Sequence, residues 1–233
     1  MKKLFLLTLC TCISHLSSFG QTQQKAKFLI IDGRYYQNSG DNFSTYSSNG
    51  SRSFRYNSSS ALLVNFRKGK FIKNNIAHGW GLIYNFQNNY YENSEKNIDS
   101  DYFSSNTTVI HTIGLNYFLS RFIPVGKGFY LSAEVNGYVT HDFNKTNYAS
   151  TYTYQNNISK NDKDEKYNND IVGIGINVGV RYYPKNKIFI NATTSIANAN
   201  YNWSSNEDFQ SSKFSFIGSL DFNSFKLGIG TNF

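Results

Sequence analysis

The stretch that decides the fold is DIVGIGINVGVRYY, residues 170–183. Val172, Ile174, Ile176, Val178, Val180 and Tyr182 occupy alternate positions. Gly173, Gly175, Asn177, Gly179 and Arg181 occupy the positions between them. A period of two is that of a β-strand, whose successive side chains leave opposite faces. The run is about twice the usual strand length. One face is continuous and apolar. The other is small and polar, as if it looked into a narrow, crowded space.

The same division recurs outward in both directions. In 76–86, Trp80, Leu82, Tyr84 and Phe86 alternate with Ala77, Gly79, Gly81 and Asn85. In 109–119, Val109, Ile113, Leu115, Tyr117 and Leu119 stand against Thr112, Gly114 and Asn116. In 129–139, Phe129, Leu131, Ala133, Val135 and Val139 stand against Ser132, Glu134 and Asn136. Leu62, Val64 and Phe66 mark a further strand; 27–36 and 187–201 alternate less cleanly. In 213–222 the apolar positions are even and after Asn223-Ser224 they are odd, which a bulge within one long strand explains. The pattern predicts eight strands, over 27–36, 53–66, 75–87, 106–119, 128–141, 170–183, 187–201 and 213–233.

The connections alternate in length. Residues 67–74, 120–127 and 184–187 read as short turns, whereas those after strands one, three, five and seven read as long polar loops such as 143–169. The short turns carry eight basic residues (Arg67, Lys68, Lys70, Lys73, Arg121, Lys127, Lys185 and Lys187) and no acid. Most acids, among them Glu92, Glu95, Asp99, Asp162, Asp164 and Glu165, fall in the long connections.

Composition agrees with strands. Aromatics make up 17% of the 233 residues and charged residues 16%, with 31 asparagines and two prolines. Soluble domains average about 25% charged. The formal charge of +8 is dispersed over turns, which is no nucleic-acid footprint.

Residues 1–20 have the form of a cleaved export signal: Lys2 and Lys3, the apolar run LFLLTLCTCI, and small Ser18 and Gly20 before the cut. Residues 21–26 form a short lead-in, and 27–233 the folded domain. Both cysteines, Cys10 and Cys12, lie in the signal, so the exported chain has no thiol chemistry. Bulky Leu9 speaks against a lipid-anchored cysteine. Cleavage removes Lys2 and Lys3 and lowers the charge from +8 to +6.

Eight such strands suit a lipid-facing barrel, a lipocalin-like soluble barrel or a two-sheet sandwich. Glycines on the polar face and tyrosines near strand ends (Tyr35, Tyr84, Tyr117, Tyr182, Tyr201) favour the first. The predicted fold is therefore all-β: an eight-stranded antiparallel up-and-down transmembrane β-barrel with short periplasmic turns and long extracellular loops. Its inward polar set is Asp32, Arg34, Arg55, Glu134, Arg181 and Lys226. With the first and last strands adjacent, Asp32 and Lys226 are expected to interact directly or through water, unless a bulge turns Asp32 away.

These strands, the signal and the RYYPKNKIFI turn-and-strand unit resemble small OmpA- or OmpX-like outer-membrane barrels. The style is closest to the outer membrane protein beta-barrel domain proteins of Bacteroidetes, over about residues 27–233. The resemblance implies an outer-membrane location and a structural or surface-interaction role without catalysis. It implies partners in outer-membrane lipid, lipopolysaccharide and the barrel-assembly machinery. The last strand matches the family's assembly signal at Lys226, Gly228 and Phe233, while Thr231 departs from it. A small channel and a lipid A-modifying enzyme are the alternatives.

Chemistry-bearing motifs are sparse. No HExxH, cysteine cluster or calcium loop occurs, so no metal or cofactor is expected. His78, His111 and His141 lack a serine–acid companion at catalytic spacing, and pairing through 120–127 sets His111 opposite about residue 136, away from His141. The glycine runs lie in mid-strand, with no following helix to bind phosphate. The Tyr-, Asn- and Ser-rich loops suit contact with polysaccharide or other cells.

Overall fold

The computed structural model describes residues 26–45, 52–73, 75–97, 99–155, 157–185, 187–206 and 209–233. The proposed signal, 1–20, lies outside them. The described residues form eight strands: β1 (Lys27–Thr45), β2 (Arg52–Lys73), β3 (Ile76–Lys96), β4 (Ser100–Gly126), β5 (Phe129–Tyr154), β6 (Asn157–Tyr182), β7 (Ile188–Asn206) and β8 (Phe209–Asn232). Each pairs antiparallel with its sequence neighbours, and β1 pairs with β8, closing a barrel.

The face assignment agrees with the alternation. Leu62, Trp80, Leu82, Ile113, Leu115, Val135, Val139, Val172 and Ile174 are exposed on the outside. The glycines of the opposite parity face the lumen, where space is short. A Cβ on Gly69 would strike the Phe28 ring, and one on Gly230 the Phe189 ring.

The strands run well past their predicted ends. The stretch 143–169 is not a loop: β5 continues to Tyr154, β6 starts at Asn157, and Lys145 pairs with Lys166 on the way. Neither side of this extension buries an apolar face, so the amphipathic period vanishes while backbone pairing and β-favouring Tyr and Thr persist. The segments 67–73 and 120–126 are likewise strand rather than turn. The turns are tight, with Asn75 (φ 65°), Gln155 (φ 45°) and Gly128 (φ 77°) in the left-handed region.

The pairing is most uneven on the two sides of β8. From Thr193 to Ala197, four steps along β7 face eight steps along β8, from Lys226 to Gly218. This is the bulged region expected near 223–224. The Ser224 hydroxyl accepts a hydrogen bond from the Ser195 amide there (2.8 Å). The β1–β8 ladder covers only Phe28–Gly33 against Leu227–Asn232, whereas β1 and β2 pair over all of Lys27–Thr45.

Candidate functional site

The lumen is built in layers from the end that holds Lys27 and Phe233. The first layer is aromatic: Phe28, Phe71, Phe118, Phe122, Tyr130 and Phe189 are buried together with Ile30 and Ala77. Phe28 packs on Phe71 (5.4 Å between centroids), Phe118 (6.2 Å) and Phe189 (6.3 Å). Burying a phenylalanine contributes roughly 2 kcal/mol, so this layer is a stabilising plug. Arg181 enters it from β6, with its guanidinium 4.1 Å from the Phe189 centroid, 4.2 Å from that of Phe122 and 5.1 Å from that of Phe28. Three ring faces replace the water that a buried cation loses. Its Nε also donates to Asn191 Oδ1 at 3.5 Å.

The second layer is a charged bridge across the lumen. Arg67 on β2 lies 2.7 Å from Asp32 on β1, and its Nη1 donates to both oxygens of Glu134 on β5 at 3.0 and 2.9 Å. Further hydrogen bonds hold the two carboxylates, while the buried Arg67 Nε has no hydrogen-bond partner among the described residues. Asn65 donates to Asp32 Oδ1 (2.8 Å), Ser120 to Glu134 Oε2 (2.8 Å) and Asn177 to Glu134 Oε1 (3.2 Å). Arg67 is 6% exposed, Asp32 1% and Glu134 11%. A buried charge pair persists only when it is hydrogen-bonded in this way.

Above the bridge lies a cavity of about 410 Å³, lined by residues that include Arg34, Leu63, Asn116, Tyr138, Asp142 and Lys226. Tyr138 donates to Asn198 Oδ1 across it at 3.0 Å. A second cavity of about 360 Å³, farther from the termini, is lined by polar groups such as Asn57, Asn89 and Thr108.

Of the sequence-predicted polar set, Asp32, Arg34, Glu134, Arg181 and Lys226 face the lumen. Arg55 does not join them. It is exposed on the extended part of β2, between Asn42 and Asn93, above the packed lumen. Asp32 and Lys226, expected to interact directly or through water, form no direct ion pair. Asp32 stands opposite Gly228, and its carboxylate is engaged by Arg67 and Asn65. Lys226 is left within electrostatic reach of Asp32, Glu134 and Arg34. Arg67 was missed because 67–74 reads as a turn. The aromatic plug was missed although its parity was visible: Phe118 shares the face of Thr112, Gly114 and Asn116.

The three described histidines lie on the outer face. His78 Nδ1 meets the Tyr117 hydroxyl (2.8 Å), and His111 Nδ1 meets that of Tyr84 (3.2 Å). His141 is opposite Asp170, with Nδ1 and Oδ1 2.7 Å apart. His111 stands opposite Phe143, not residue 136, because β4 runs on to Gly126 and β5 starts only at Phe129, so the turn lies later than the expected 120–127 and the register moves with it. His111 and His141 are thus diagonal neighbours. No serine or threonine hydroxyl is hydrogen-bonded to either in the described residues. Among the described residues no three His, Cys, Asp or Glu assemble as metal ligands.

No family model matches the sequence, and no curated protein does. Among solved structures, the chain is similar to the N-terminal β-barrel domain of OprF from Pseudomonas aeruginosa. The two are 13% identical, with 90% of this chain and 98% of that one covered, at a TM-score of 0.23. It is similar to Neisserial surface protein A, NspA, at 11% identity, 89% and 97% coverage and a TM-score of 0.31. For the outer membrane protein OprG of P. aeruginosa the values are 12%, 92% and 99%, and 0.34. Likeness this distant says nothing of what the lumen does.

Proposed function

We propose that this chain is an integral outer-membrane β-barrel with a structural or surface-interaction role and no catalysis. The observation that carries the reading is the polarity of the closed barrel. Its interior is charged and aromatic, while its exterior exposes a belt of large apolar side chains on all eight strands, from Leu29 and Ile31 on β1 to Leu227 and Ile229 on β8. A soluble monomer rarely exposes more than a few hundred Å² of contiguous apolar surface; lipid tails are the solvent that suits this one. On this reading Lys27, Phe233, Asn75, Gly128 and Tyr183 lie at the periplasmic end, and the extended hairpins stand outside the cell. Partners follow from position: membrane lipid and lipopolysaccharide around the belt, and the assembly machinery at the last strand through Lys226, Gly228 and Phe233. Phe233 exchanges backbone hydrogen bonds with Lys27 at 2.8 and 3.0 Å, so the final residue takes part in closure.

The plug and the Asp32–Arg67–Glu134 bridge oppose an open pore. The extended hairpins, rich in Tyr, Asn and Ser with both charge signs, are the surface offered to a partner outside the cell. Membrane fractionation with unheated gel electrophoresis tests the reading. The protein is expected in the outer-membrane fraction, migrating as a compact form that boiling converts to the full apparent mass. Recovery in the soluble periplasm would overturn it.

A further inference from the structure

The inner face of the extended hairpins changes chemistry above the packed lumen. Asn38, Ser59, Asn89, Thr108 and Thr146 stand opposite one another in a row across β1–β5. The next row outward is Gly40, Asn57, Tyr91, Asn106 and Tyr148. Both rows have the parity of buried Asp32, Asn65, Thr112 and Thr140, so they continue the lumen wall. Neither row holds a charged residue. On these five strands the inward parity next meets charge at Arg34 and Asp142, two rows below, and at Arg55, one row above. On β6 the rows end at Glu165 and Lys163, which pair with each other at 2.6 Å. The outer parity of the same stretch is charged, with Glu92, Lys145, Asp164 and Lys166. Contact with water alone would not sort charge to one face.

These rows line the cavity of about 360 Å³, with Asn38, Asn57, Ser59, Asn89, Tyr91 and Thr108 among its walls. Three contacts hold part of the lining in place. Asn89 Oδ1 accepts from Gln87 (3.1 Å), Asn106 Oδ1 accepts from the Thr108 hydroxyl (3.4 Å), and the Thr108 and Thr146 hydroxyls are 3.1 Å apart. The side chains of Asn38, Asn57, Ser59 and Tyr91 hydrogen-bond to no other described residue. They set donors and acceptors side by side. Tyr91, 38% exposed, adds an aromatic ring. A Cβ added to Gly40 would meet nothing within 4 Å, so the cavity is open at that corner.

We propose that this cavity binds a neutral saccharide unit of a glycan outside the cell. Each sugar hydroxyl both donates and accepts, and side-chain amides and hydroxyls answer it in kind. Asn and Ser supply adaptable hydrogen bonds and Tyr a rigid contact surface, here for the C–H face of a pyranose ring. An ionic ligand finds no counter-charge in the two rows. A hydrocarbon would cover the amides and leave them unpaired, which is costly. The volume of about 360 Å³ falls within the range of small-molecule sites. The inference rests on the surface-interaction reading for the side of the membrane to which the cavity opens, and on the cavity alone for the binding.

The test applies the full exported chain, in phosphatidylcholine nanodiscs that carry no sugar headgroup, to an array of neutral glycans and their sialylated and sulfated counterparts. Empty nanodiscs are the control. Binding to neutral glycans is expected, with the charged counterparts bound no better. Calorimetric titration with the best neutral glycan then gives the affinity. The N57A/N89A variant, shown to be folded by its compact unheated gel mobility, should bind roughly tenfold more weakly, the worth of two ordinary hydrogen bonds. G40L removes no hydrogen bond but fills the open corner, and should weaken binding to a similar degree. K160Q, on β6, should bind like the parent chain. Failure to bind any neutral glycan would overturn the proposal, as would a preference for sulfated or sialylated forms. So would unchanged affinity in both N57A/N89A and G40L. Because the choice of neutral over charged glycans is measured on the unaltered protein, the result does not depend on the variants folding. An outer-membrane protein that bound no glycan would overturn this inference and leave the membrane reading standing. A soluble, periplasmic protein that bound one would do the reverse.

Discussion

Arg67 is the residue on which the lumen's electrostatics converge. It touches two carboxylates from strands on opposite sides of the barrel, so it works as a cross-brace as well as a counter-charge. R67A leaves Asp32 and Glu134 buried without their cation, and breaking a buried pair in this way costs about 3–5 kcal/mol. Urea unfolding of detergent-solubilised protein, followed by tryptophan fluorescence, should show that loss. R67K retains the charge but not the fork that reaches both acids, and should lie between the two. A smaller test concerns space. G230A places a methyl group against the Phe189 ring and the Leu29 carbonyl, and overpacking of this kind costs roughly 1–3 kcal/mol. The same unfolding assay reads it. Both residues show how far parity alone reaches. Gly230, Asp32 and Glu134 could be placed in the lumen because alternation fixes a face. Arg67 shares the parity of Asn65, but RKGKFIKN is basic enough to read as a turn. Arg55 has inward parity and still fails, because parity gives direction and not the height at which the lumen is packed.

At the scale of elements, the strands divide into a belt-crossing part and a part beyond it. The first is legible in sequence because lipid-like surroundings on one side and a tight lumen on the other enforce alternation. The second is not, since both of its faces are polar, and only the pairing itself shows that it is strand. Beyond Asn168, β6 pairs with β5 alone, leaving 157–167 as a free edge. That edge carries Lys160, Asp162, Lys163, Asp164, Glu165 and Lys166, and charge is the usual guard against edge-to-edge association. The extension should therefore be dispensable to the barrel. Replacing 148–163 by Asn-Gly, which favours a two-residue hairpin turn, should leave compact gel mobility intact and shift unfolding by less than about 1 kcal/mol, the scale of changes remote from a core. A large loss would mean that the tongue braces the barrel. By the same reasoning, removing Phe233, whose backbone closes β8 on Lys27, should lower the amount of protein reaching the outer membrane.

For the whole molecule, the lumen is closed at the end near Lys27 and Phe233, and the closure is aromatic rather than charged. The bridge of Asp32, Arg67 and Glu134 spans the lumen, yet polar groups of that kind can be shared with permeating water and ions. The ring cluster beneath it offers them no partner. Phe28 is central, in contact with Phe71, Phe118 and Phe189 and lying under Arg181. The plug, and not the bridge, should accordingly set the conductance. Purified protein in a planar bilayer is expected to give no steady steps. F28A/F118A/F189A removes three rings from one layer and should produce discrete openings, whereas D32N/E134Q, which removes the carboxylate charges of the bridge but keeps the plug, should remain silent. Arg181 would then keep only the Phe122 face of its three and stand at the mouth, so the openings of the triple variant should favour anions. Replacing Arg181 with glutamine in that background should abolish the preference. Steady conductance from the parent chain would show that the rings do not seal the barrel. Openings from the bridge variant alone would show that the seal is electrostatic.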